Sequence, residues 1–160
     1  MHGTGGAVID STYDEYLVTF SHVLPGTAAA LLWMRTTTDA TNFDAGASDY
    51  SYTSAGASSN GSIGQASAGD TKIILSGSAG VSLTAGADGI NGELKFYGPS
   101  AAKFFGAQWQ LSFLEAFFDS PVTVIGTGFR LAAANVDGIR FMFSTGTLAS
   151  GTIKLFGRKL

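Results

Sequence analysis

Asp39, Asn42, Asp44 and Asp49 crowd into the run DATNFDAGASD, and this is the densest set of oxygen donors in the chain. Hard oxygen ligands at such density can hold calcium. The run lacks the twelve-residue spacing and the closing bidentate glutamate of a calcium loop. Asx residues turning a hairpin account for it equally well. The two histidines, His2 and His22, lie near the N-terminus, and the chain has no cysteine. A zinc site would need both histidines plus carboxylates, at a spacing that matches no ligand pattern. No metal or cofactor is therefore expected, with the aspartate run kept as a weak calcium candidate.

Catalytic signatures stay incomplete. His2-Gly3-Thr4-Gly5-Gly6 is like an oxyanion loop, but no G-x-S-x-G elbow accompanies it. No G-x-x-x-x-G-K-[ST] phosphate loop occurs, and Gly126-Thr127-Gly128 opens no helix. Asp14 and Glu15 are adjacent in a predicted strand, so they face opposite sides and cannot form an acid/base pair. A polysaccharide hydrolase would need two carboxylates facing one cleft, and nothing in the sequence pairs them. The chain reads as a non-enzyme.

Aromatic residues are the remaining binding candidates, at 12% of the chain. Most belong in a core. Tyr50, Tyr52, Tyr97 and Trp109 fall near loops or on mixed faces, where they could stack on a sugar or meet another subunit.

Strands must position these residues. Tyr13–Phe20 sets Tyr16, Val18 and Phe20 on one face, and Ala29–Thr37 sets Leu32 and Met34 against Leu31, Trp33 and Arg35. Ile90–Tyr97, Lys103–Phe113, Ile139–Phe143 and Ser150–Gly157 alternate in the same way. Asp70–Leu75, Val122–Ile125 and Phe129–Ala133 add shorter strands. Leu111–Phe118 reads equally as a short helix or as a strand with a wide turn. Turns such as Ala87-Asp88-Gly89 and Val136-Asp137-Gly138 separate the strands. Eight to nine strands without βαβ alternation predict an all-β fold, a two-sheet antiparallel sandwich of jelly-roll type.

The 160 residues suit one domain, predicted over residues 13–160, with residues 1–12 as an N-terminal arm. Residues 54–69 read SAGASSNGSIGQASAG and are expected to form a surface loop. A net charge of −3 with no basic stripe argues against nucleic acid. Low charge, with 22 glycines and 45% hydrophobic residues, suits a protein whose neighbours cover part of its surface. No apolar run reaches the roughly 20 residues of a membrane span. No basic patch precedes an apolar run at the start of the chain, so no secretory signal is expected.

Three segments together resemble a family of small jelly-roll virion proteins of tailed bacteriophages. They are YDEY at Tyr13–Tyr16, RTTTD at Arg35–Asp39 running on to FDAGASDY at Phe43–Tyr50, and RFMFSTGTLASGTIKLFG at Arg140–Gly157. Phe156 stands where that family usually has tyrosine. Residues 81–128 carry no matching motif. The resemblance implies a structural, non-enzymatic part of a tail fibre, tail tip or head surface. It also implies other virion proteins as partners, a homo-oligomer (a trimer in a fibre, a pentamer at a capsid vertex), and assembly in the host cytoplasm with release by lysis. A carbohydrate-binding module for host surface glycan is the alternative reading.

Overall fold

The computed structural model describes residues 9–160. Within them the chain is all β, without a helix, in two antiparallel sheets. The strands are β1 (Glu15–Pro25), β2 (Leu32–Thr37), β3 (Tyr50–Ser58), β4 (Gly61–Ser62), β5 (Ala66–Asp70), β6 (Ile73–Ile74), β7 (Ile90–Tyr97), β8 (Gly106–Leu114), β9 (Pro121–Arg130), β10 (Gly138–Phe143) and β11 (Leu148–Arg158). The larger sheet runs β11-β1-β7-β8-β9-β3-β4, with β5 also paired to β3, and the smaller runs β10-β2-β6. The sandwich expected from the alternating strands is the fold found. Its strand number exceeds the expected eight to nine because β3, β4 and β5 form between Tyr50 and Asp70, where no strand was expected.

Side-chain parity builds the core. Tyr16, Val18 and Phe20 of β1, Leu94 and Phe96 of β7, and Trp109, Leu111 and Phe113 of β8 all point inward and are buried. They meet Leu32, Met34 and Ile139 of the smaller sheet in one continuous cluster. Phe20 packs edge-on against Phe141 across the two sheets, with ring centroids 5.0 Å apart. Tyr16 stacks on Phe96 at 5.1 Å. Each fully buried side chain of this size contributes roughly 1.5–3 kcal/mol of transfer free energy. Gly126 of β9 lies opposite Trp109. A Cβ there would sit 2.3 Å from the indole, so only glycine leaves room for the ring.

Residues 54–69 are mostly strand rather than loop. Ser54–Ser58 continue β3 and pair with β9, Ala55 opposite Ile125 and Ala57 opposite Thr123. β4 and β5 then pair back onto β3. Small side chains give no strand pattern of their own, and the ladder to β9 supplies the order. The wide-turn reading of Leu111–Phe118 is the one realised, since β8 runs to Leu114 and a turn follows. At the N-terminal end, Ile9 is buried in the core, and the Asp10 backbone N–H donates to the Tyr16 hydroxyl at 3.1 Å. The domain therefore begins before residue 13.

Candidate functional site

The aspartate run folds into a turn that satisfies itself. Asp39 Oδ1 accepts hydrogen bonds from the backbone N–H groups of Thr41 (2.9 Å) and Asn42 (2.7 Å) and from the Thr37 hydroxyl (2.9 Å). Its Oδ2 accepts from the Asn42 side-chain amide at 2.7 Å. The Asn42 side chain, then the N–H groups of Asn42 and Thr41, hold the Asp39 carboxyl well below the usual carboxylate range. Asp44 pairs with Arg130, Oδ2 to Nε at 2.6 Å. Asp49 accepts from the Gly46 N–H at 2.5 Å. Each carboxylate has its own partner, and among the described residues no three His, Cys, Asp or Glu groups gather where a metal could sit. The weak calcium candidate Asp39, Asn42, Asp44 and Asp49 is thus not assembled into a ligand set. His22 ends up between Ser21 (2.8 Å) and Asp88 (3.0 Å) on the surface, and His2 lies outside the described residues.

Of the four aromatic candidates, three point into the core. Tyr50 is fully buried, and its hydroxyl accepts from the Thr36 N–H at 2.8 Å and donates to the Asp44 carbonyl at 3.2 Å. Tyr52, two residues on, faces the same way, with its hydroxyl 3.2 Å from Asp70 Oδ2. Burial, and then the Asp70 carboxylate, push its phenol up to about 12. Trp109 covers Gly126. Proximity to loops in the sequence says nothing about which face a strand residue takes, and parity sends these three inward. Tyr97 is 47% exposed, on the outer face of the larger sheet.

The structure picks out a site that sequence reasoning missed, at the turn between β8 and β9. Phe117 is 78% exposed and Phe118 is 70% exposed. The turn that carries them is pinned. Glu115 is buried, and its carboxylate accepts from the N–H groups of Phe117 (2.9 Å) and Phe118 (3.0 Å) and from the Ser120 hydroxyl (3.2 Å). The Glu115 N–H donates to the Ser120 carbonyl, and the Ala116 N–H to the Gly80 carbonyl. Asp119 occupies the left-handed region at φ 48°, where a non-glycine residue is strained. It accepts from the Ser82 hydroxyl (2.5 Å) and the Thr84 hydroxyl (2.8 Å), and these bonds hold its carboxyl below the ordinary range, Ser82 contributing most. Leu83, between those two anchors, is exposed as well.

A hollow of about 180 Å³ opens beside the turn, lined by Ile63, Ala79, Glu115, Phe117 and Phe118 among others. A flexible loop could fold such rings back against the protein. This one holds them out, because its backbone donors are spent on Glu115. The tip offers no nucleophile and no free base. What it can do is dock, with burial of each ring contributing roughly 1.5–3 kcal/mol. The sequence signal was the pair Phe117-Phe118 just before Asp119-Ser120-Pro121. Adjacent strand residues face opposite sides, whereas adjacent residues in a turn can both face water.

In comparisons with known proteins, no family model matches this chain, and no curated protein and no solved structure matches it either.

Proposed function

We propose that this chain is a non-enzymatic structural component of a tailed-bacteriophage virion, placed on the surface of the tail or head as a homo-oligomer. In this reading the tip at Phe117 and Phe118 docks onto another virion protein. The observation that carries it is the pair of rings held in water by a buried carboxylate. A rigid apolar projection is costly for a free protein and useful to one that is covered on assembly. The carboxylates that could have served chemistry are instead engaged in turns and ion pairs, which favours a building role over a catalytic one. The resemblance of the two ends of the chain to jelly-roll virion proteins supplies the particle.

The glycan-binding alternative keeps one of its four aromatics on the surface, Tyr97, so it lacks a stacking platform of the kind first expected. Mass spectrometry of purified phage particles tests the proposal. The chain should be present at a fixed ratio to the major capsid protein. Its recovery only from the soluble lysate would rule the reading out.

A further inference from the structure

The larger sheet has two unlike edges. One is divided between β4, two residues long, and β5, five residues long. Short, broken edges of this kind resist pairing with other chains. The other edge is β11, eleven residues long and, among the described residues, paired only to β1. From Thr152 to Arg158 that pairing runs without a register shift. Leu148–Arg158 contains no proline, and its two cations, Lys154 and Arg158, lie on the outward row. Arg158 is already neutralised by Glu15 at 2.6 Å. Lys154 and the register shifts before Thr152 are this edge's protecting devices, and from Thr152 to Arg158 no proline, bulge or inward charge interrupts it.

The inward row of β11 is also incompletely covered. Ile153 and Leu155 are only half-buried. Ile153 borders a cleft of about 330 Å³ with Phe43, Ile139, Arg140 and Phe141. β10, which supplies three of those residues, is itself the end strand of the smaller sheet. Among the described residues the sandwich is thus open along one side, between two edge strands.

We propose that this side is closed by a second copy of the chain, β11 pairing antiparallel with β11 across a two-fold axis at Ile153. The self-complementarity of the strand argues for this occupant. β11 is centred on Ile153, so that register pairs the whole strand. It sets Thr152 against Lys154 of the second copy, and Arg158 against Leu148 of the second copy. No like charges meet. Moving the axis to Lys154 would put that lysine opposite itself, which destabilises a cross-strand pair. Moving it to Thr152 pushes Arg158 beyond the start of the second copy's strand. A one-residue slip would set inward side chains against outward ones. In the register centred on Ile153 the two larger sheets become one continuous sheet, and the Ile153 side chains meet over the open cleft. The contact is isologous, so it makes dimers.

The seam goes beyond the docking role given to the tip and is tested without a particle. Because the chain has no cysteine, single cysteines report the contact cleanly. Ile153→Cys in the purified full chain should form an intermolecular disulfide on mild oxidation. It should do so roughly tenfold or more faster than Phe156→Cys, whose side chain lies off the axis, because the pairing raises the local thiol concentration. A mixture of Thr152→Cys and Lys154→Cys chains, both changed on the exposed row, should give the heterodimer preferentially. Native mass spectrometry of the unmodified chain should show dimers that dissociate on dilution. Monomer at every concentration, or equal rates for Ile153→Cys and Phe156→Cys together with no preferred heterodimer, would overturn the seam. Neither result would bear on the tip, which plays no part in the crosslink.

Discussion

Two turns of this molecule use the same device for opposite ends. In the turn at Asp39 a carboxylate gathers the N–H groups of Thr41 and Asn42. In the turn at Glu115 a carboxylate gathers the N–H groups of Phe117 and Phe118. The first carboxylate is exposed, and the side chains it organises are polar, so the turn finishes the surface. The second is buried, and the side chains it organises are aromatic and project into water. A carboxylate beside a turn is therefore no pointer to chemistry by itself. The informative feature is what the capped turn holds out, and how firmly.

Substitutions should separate the two turns. The largest effect is expected at the buried cap. Glu115→Ala leaves two backbone donors and the Ser120 hydroxyl without their acceptor, at a cost of about 3 kcal/mol by urea unfolding. Glu115→Gln keeps one acceptor oxygen and should lose about half as much. A smaller loss is expected where the polar loop is tied down. Asp44→Ala leaves the Arg130 guanidinium without its carboxylate at a partly buried site, costing about 2 kcal/mol in the same assay. If the polar-loop variant proved the more damaging, the contrast between a firm tip and an ordinary surface turn would fail.

Asp39 should show itself through pH. Its carboxyl lies below the ordinary value of 3.8 in the folded chain. Its contribution is therefore fully present above the unfolded pKa and is lost as pH falls through the folded one. Asp39→Asn should flatten the decline in urea midpoint that sets in as pH falls below about 4. An unchanged acid limb would show that the turn at Asp39 is not capped as described. The smallest stability effect belongs to the tip. Phe117→Ser with Phe118→Ser should change unfolding free energy by no more than about 0.5 kcal/mol, since neither ring is packed.

The strands carrying large side chains could be read from the residues, because Tyr16-x-Val18-x-Phe20 and Trp109-x-Leu111-x-Phe113 alternate with polar neighbours. Ser54–Gly69 could not. Its β3 part rests on pairing with β9, which lies more than fifty residues away in the chain, and β4 and β5 pair in turn with β3. Local composition carries no trace of such a partner. The site was less legible than the fold. Tyr50 and Tyr52 looked accessible only because no strand was expected there to fix their parity, whereas the alternation of Trp109 with Leu111 and Phe113 already pointed it inward. Phe117 and Phe118 closed a segment that read equally as a short helix or as a strand with a wide turn, and only the turn after Leu114 sends both outward. The free edge at β11 was equally hidden, since strand order is set by long-range pairing.

The proposal at the centre of this account is that the protein is docked through a rigid apolar tip. The most direct measurement compares the incorporation of the Phe117→Ser/Phe118→Ser chain and the Asp39→Asn chain into phage particles, with the melting of each purified chain as a control for folding. The tip variant should fold normally and be lost from particles, while the Asp39 variant is retained. Incorporation of the tip variant at the level of the unmodified chain would contradict the account.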